Sequence, residues 1–217
     1  MHKLIHTIWD RAMRLVFPEN CIGCGKSDTL FCSHCIKMAA TKGDVRPISG
    51  PISRIWSFGL YADEALKNAI RKFKYNKSLR FAEILSDFLV NAVPSHLIPL
   101  ERNILVIPIP VSKERMNMRG YNQAEILASK FARKMDLIFC NDILRKIRAT
   151  PSQTELTATE RQKNVRNSFQ IQNGASVEGK TIILVDDILT TGATLAEAAR
   201  VLKKNKAKEI IGLVIAK

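Results

Sequence analysis

Two things are scarce in this chain: long apolar runs and acidic residues. No uninterrupted hydrophobic stretch approaches the length of a membrane span, which predicts no membrane insertion. Asp and Glu number 20 against 34 Lys and Arg, a formal charge of +14 over 217 residues. Such a surface attracts polyanions, meaning nucleic acid or phosphorylated substrates. A secretion signal is missing as well. Met1 to Phe17 is broken by Lys3, Asp10, Arg11 and Arg14, while Leu4, Ile8, Ala12 and Leu15 follow helical spacing. That segment therefore predicts a short amphipathic helix on a chain that stays in the cytoplasm. Neither an internal repeat nor a low-complexity tract is present. With 46% hydrophobic residues a proper core can form, which argues against disorder. The length suits one α/β domain with a small appendage.

Cysteine is also sparse, at five residues, but four are placed with metal-ligand spacing. Cys21-Ile22-Gly23-Cys24 is followed by Cys32-Ser33-His34-Cys35. Two such knuckles can bring four thiolates to tetrahedral distance, with Gly23 and Gly25 easing the turns. Cys21, Cys24, Cys32 and Cys35 are thus the expected ligands of one structural Zn²⁺, with His34 as an alternative to one sulfur. Two pairs argue against a redox motif, and the lack of a secretion signal argues against disulfides. Cys140, in Leu137-Ile138-Phe139-Cys140, reads as a buried strand residue without chemistry.

The remainder predicts an α/β fold, a mostly parallel sheet with helices on both faces. Residues 1–45 form the helix and zinc module, and 46–217 the main domain, with a linker from Ala39 to Pro51 marked by Gly43, Pro47, Gly50 and Pro51. Strands are expected at 54–61, 104–109, 137–140, 181–185 and 210–215. Two helical faces lie between the first two strands: Leu66, Ala69, Ile70, Phe73, then Phe81, Ile84, Leu85, Phe88, Leu89. Further helices are expected over 122–134 and 194–204. Alternation of this kind implies crossover connections and a parallel sheet.

One stretch carries most of the chemistry. Thr181-Ile182-Ile183-Leu184-Val185 ends in Asp186 and Asp187, and Ile188-Leu189-Thr190-Thr191-Gly192-Ala193-Thr194 follows. Backbone N–H groups from Thr190 to Thr194 can converge on a phosphate at a helix start. Gly192 allows close backbone approach, and Thr194 with Glu197 has capping-box spacing. The two carboxylates repel phosphate and suit the two hydroxyls of a ribose 5-phosphate. This resembles the 5-phosphoribosyl 1-pyrophosphate (PRPP) signature of type I phosphoribosyltransferases.

Three other segments bear on that site. After the strand at 104–109, Pro108 and Pro110 set a rigid loop where open α/β sheets bind ligands, and Lys113 and Arg115, with Arg119 nearby, can meet a pyrophosphate. Arg119-Gly120-Tyr121-Asn122-Gln123-Ala124 reads equally as a turn with an Asn122 cap or as a ligand contact. The polar interval from Arg145 to Asn167, including Lys146, Arg148, Thr150, Gln153, Thr154, Arg161, Lys163 and Arg166, reads as a lid or as a solvated loop. Finally, Lys67, Arg71 and Lys74 recur at helical spacing beside Phe73 and Tyr75. They form either a solvated helix face or a surface for single-stranded nucleic acid.

Taken in order, these motifs resemble the ComF family of competence-associated, phosphoribosyltransferase-like proteins. The resemblance covers Cys21 to Ala216 and includes both cysteine knuckles, Phe73-Lys74-Tyr75, Pro108-Ile109-Pro110, Arg119-Gly120-Tyr121-Asn122-Gln123-Ala124, Thr150-x-x-Gln153, Glu160-Arg161-x-x-Asn164 and Val185 to Leu195. Tyr121 stands where the family usually has Phe. The resemblance implies a type I phosphoribosyltransferase fold with a zinc finger, PRPP and Mg²⁺ as ligands, and a link to DNA uptake. It implies Asp186 and Asp187 as catalytic residues. PRPP contacts are expected from Thr190, Thr191, Gly192, Ala193, Thr194, Pro108, Lys113, Arg115, Arg145 and Arg148, with an acceptor under a hood from the N-terminal part. Two other roles fit the same residues: a non-catalytic factor that binds single-stranded DNA beside the competence DNA-translocation machinery, and a PRPP-sensing regulator.

Overall fold

Five short apolar segments, four of them largely buried, lie side by side in a computed structural model that describes residues 19–40, 50–76, 78–94, 103–148, 165–172 and 176–217. They are β1 (Arg54–Gly59), β2 (Ile104–Pro108), β3 (Ile138–Phe139), β6 (Thr181–Ile188) and β7 (Glu209–Ala216). The order is β1-β7-β6-β2-β3, and every pairing is parallel. Alternate residues of β6 enter opposite cores. Ile183 and Val185 face one side, Ile182 and Leu184 the other. A strand covered on both faces needs a nearly continuous apolar run, and 181–185 supplies one.

Helices α2 (Glu64–Asn76), α3 (Leu79–Ala92) and α5 (Gln123–Met135) cover the first face. Their buried side chains include Leu66, Ala69, Ile70, Phe73, Phe81, Leu85, Phe88, Leu127 and Phe131, which recur at three- and four-residue intervals along their helices. Asn122 caps α5, its side-chain oxygen accepting from the Ala124 N–H at 3.1 Å. The opposite face is covered by α6 (Ala193–Lys204) and by an antiparallel ribbon, β4 (Leu144–Lys146) with β5 (Phe169–Ile171). No helix among the described residues is long and apolar enough to cross a membrane.

Several local expectations are corrected. The segment 137–140 contributes only Ile138 and Phe139, because it lies at the sheet edge with β2 as its sole strand neighbour. Ile138 is 53% exposed, and Cys140 is partly buried beyond the strand end. Thr194 and Glu197 form no capping box. Helix α6 starts one residue earlier behind Gly192, and Glu197 instead pairs with Arg200 and accepts from the Asn167 N–H. The ribbon was not anticipated; it brackets the long polar interval. The expected amino-terminal helix, most of the linker, and residues 149–164 of that interval, with Thr150, Gln153, Thr154, Arg161 and Lys163, lie outside the described residues.

The cysteine segment shares the main core. Cys21, Phe31, Cys32, Cys35 and Ala39 belong to the same hydrophobic cluster as Phe58, Phe73 and Phe88. A short helix, α1 (Ser33–Ala39), ends against β1 through a bridge between Ala40 and Gly59. Gly59 is required there, since a Cβ would stand 2.4 Å from the Ala39 carbonyl oxygen.

Candidate functional site

Chain direction reverses between β2 and β6: from β2 the chain moves on to β3, whereas from β6 it moves to β7 on the other side. Loops leaving the carboxyl ends of these neighbouring strands diverge and open a crevice, the usual ligand position of open α/β sheets. A cavity of about 280 Å³ lies there, lined from β6 onward by Asp186 to Thr190, Gly192 and Thr194, and after β2 by Ile109, Pro110 and Val111. Tyr61, just beyond β1, also borders it.

Asp186 and Asp187 are the last polar residues before the loop. The Asp187 N–H donates to Asp186 Oδ1 at 2.8 Å, and Lys74 Nζ approaches Asp187 Oδ2 at 2.8 Å. Desolvation, with the Asp187 charge beside it, pushes the Asp186 carboxyl up to about 7. The two neighbours therefore differ: one carboxylate has an ammonium partner, and the other is held towards its neutral form.

The following loop turns tightly into a helix. Gly192 adopts φ +75° and caps a helix of 12 residues, where a left-handed backbone favours glycine. Thr190 and Thr194 line the cavity. Thr191 turns outward and its hydroxyl accepts from the Ala193 N–H at 3.4 Å, while Ala193 itself is buried.

The expected cations divide between two cavities. Arg115 lines the main one. Lys113, Arg145 and Arg148 line a neighbouring cavity of about 210 Å³ with Ser112 and Glu114. Lys146 borders both and was not singled out as a ligand contact. Burial, with repulsion from Arg115, holds its ammonium below the usual lysine range. Alternation in β4 points Lys146 opposite to Arg145, a signal available only once that segment is known to be a strand. Pro108 ends β2, buried opposite Val185, and Pro110 takes the position at the cavity. Arg119, Asn122 and Gln123 also reach the cavity, so the turn that opens α5 is part of its lining.

The lysine and arginine stripe does not present one uniform face. Lys67 pairs with Glu64 at 2.8 Å, Arg71 is exposed, and Lys74 turns inward to Asp187 with a side chain 16% exposed. Outside the cavity lining, the sulfurs of Cys21, Cys24, Cys32 and Cys35 all lie within 4.8 Å of one another. The Cys32 N–H donates to Cys21 Sγ at 3.3 Å and the Cys35 N–H to Cys32 Sγ at 3.5 Å. Although burial opposes it, N–H groups of Cys32, Cys24 and Gly23 bring the Cys21 thiol down to about 6. Four sulfur donors at this spacing fit a tetrahedral Zn²⁺, and His34 is not among them. This is the sole group of three or more candidate metal ligands among the described residues.

Comparison with known proteins places these features. Residues 118–217 match the phosphoribosyl transferase domain. Competence protein F of Haemophilus influenzae is 30% identical over 201 residues, 88% of this chain and 86% of that protein. DNA utilization protein YhgH of Escherichia coli K12 is 28% identical over 162 residues, 74% of this chain and 70% of the relative. Competence protein ComFC of Bacillus subtilis is 36% identical over 155 residues, 68% of this chain and 58% of the relative. With a four-cysteine cluster at one end, a phosphoribosyl transferase domain at the other and 30% identity to Competence protein F across 88% of its length, the chain belongs to the ComF family.

Proposed function

We propose that the protein binds PRPP in the crevice between β2 and β6 and transfers its phosphoribosyl group, with release of pyrophosphate, to an acceptor. The observation that carries this reading is the arrangement at one cavity of the Asp186–Asp187 pair, the loop behind Gly192 and the cations Arg115 and Lys146. Thr190, Thr194 and the loop N–H groups would hold the 5-phosphate. Asp187, and Asp186 once ionised, would accept from the ribose hydroxyls and stabilise positive charge developing on the sugar. Arg115, Lys146 and the Lys113–Arg145–Arg148 group would receive the pyrophosphate. Two carboxylates without a larger ligand cluster suit Mg²⁺ delivered by the substrate's own phosphates, where it would neutralise leaving-group charge. The four cysteines would hold a structural Zn²⁺.

The relatives' names connect them with competence and DNA utilization, and we extend that link to this chain as a cytoplasmic protein working beside the DNA-translocation machinery. Direct binding to single-stranded DNA is a second reading, favoured by the +14 charge and exposed Arg71. Contacts through phosphates would make affinity fall steeply with salt. A pyrophosphate-release assay across nucleobases and single-stranded DNA tests transfer. Release above the PRPP-only background supports an enzyme, whereas PRPP binding without release with any acceptor favours a sensor.

A further inference from the structure

Two motifs outside the phosphate loop meet on another wall of the cavity. Phe73-Lys74-Tyr75 lies near the end of α2, and Arg119-Gly120-Tyr121-Asn122-Gln123 joins α4 (Lys113–Arg119) to α5. The Tyr121 hydroxyl donates to the Phe73 carbonyl, and the two rings lie 5.9 Å apart. The Arg119 guanidinium sits 5.6 Å from the Tyr75 ring centroid and donates from Nη1 to Gln123 Oε1 at 3.0 Å. This clasp delivers Lys74 and Arg119 to the cavity that contains Asp186 and Asp187.

These two cations have unequal partners. Lys74 is neutralised by Asp187 at 2.8 Å. Arg119 Nε is buried and has no hydrogen-bond partner. On the PRPP reading above, the ribose hydroxyls claim the carboxylate that now neutralises Lys74. A carboxylate that accepts from ribose hydroxyls holds Lys74 less closely, and an ammonium only 16% exposed then favours a second anion. On that reading Arg115 and Lys146, which border the same cavity, receive the pyrophosphate, and Lys74 and Arg119 stand on the other wall.

We infer that Lys74 and Arg119 form the recognition site for a small acceptor bearing a carboxylate, and that Lys74 is released to it only when PRPP occupies Asp187. The inference rests on the PRPP reading and predicts ordered binding, PRPP first. The test is calorimetric titration of matched pairs that differ in a carboxylate, nicotinate against nicotinamide and orotate against uracil, into the protein alone and into the protein saturated with PRPP and Mg²⁺. The expected result is binding of at least one acid only to the loaded protein, with a preference over its neutral partner of about tenfold or more, as a charge-assisted hydrogen bond supplies. Lys74→Gln should abolish that preference and bind PRPP more tightly than the parent, because a competitor for Asp187 is gone. Arg119→Gln should reduce the preference independently. Equal affinity within both pairs, or a preference that survives both substitutions, overturns the assignment while leaving PRPP binding intact. A parent protein that takes up no PRPP overturns both.

Discussion

Phe31, in the loop between the cysteine pairs, meets Phe88 of α3 edge to face with ring centroids 5.3 Å apart. Phe88 in turn stacks on Phe58 of β1 at 4.1 Å. The cysteine segment is therefore tied to the sheet by a chain of three rings, and what orders that segment also supports the main core. Protein purified without added zinc should contain about one equivalent of Zn²⁺. Chelation should lower the melting temperature of the whole protein in a single transition. Metal-free protein with an unchanged melting curve would show that the cluster does not need a metal.

Glu83 of α3 receives Lys130 and Lys134 of α5. Hydrogen bonds from Lys130 and then Lys134 hold its carboxyl down at about 2, against an ordinary 4.5. The depressed value means that the bridge stabilises the fold above pH 4.5 and loses that contribution as the pH falls towards 2. Because Glu83 is 45% exposed, solvent screening limits the effect to about 1 kcal/mol or less. Glu83→Gln should therefore melt roughly 2–4 °C lower at pH 7, with the difference vanishing near pH 2. A deficit that persisted in acid would assign the loss to packing.

Asp186 has the opposite sign. Its carboxyl is raised from 3.8 to about 7, so between those values the unfolded chain is ionised and the folded chain is not. Its contribution to stability then declines as the pH rises through this window, and the full cost remains above pH 7. Asp186→Asn should be more stable than the parent at pH 8, by up to roughly 10 °C, with the advantage fading towards pH 4. It should also bind PRPP more weakly. Melting curves of the two proteins that run parallel across this range would contradict the assignment.

How legible the molecule was in its sequence depended on the reach of each signal. Leu66, Ala69, Ile70 and Phe73 marked a buried helical face because helical period is local, and Ile104 to Ile109 marked a doubly covered strand because a continuous apolar run is local too. Gly192 stood out because only a tight backbone turn asks for glycine before a helix. Lys74 was misleading: its spacing matched an outer basic stripe, and only the packing of α2 over the sheet turns it to Asp187. The β4–β5 ribbon was hidden because two three-residue strands separated by more than twenty residues leave no period to read. Glu197 was assigned to a cap from spacing alone, while tertiary contact with Asn167 and Arg200 decides its partners.

The most direct test of the central claim is calorimetric titration of PRPP with Mg²⁺ into the parent, Gly192→Val and Asp187→Asn. Gly192 has φ +75°, so Val strains the loop and would place a side chain at the proposed phosphate position, while Asp187→Asn removes the charge proposed to accept from the ribose. The account predicts binding to the parent at one site and weakening of about tenfold or more in each variant, with both still folded. A parent that binds no PRPP, or variants that bind it as the parent does, would contradict it.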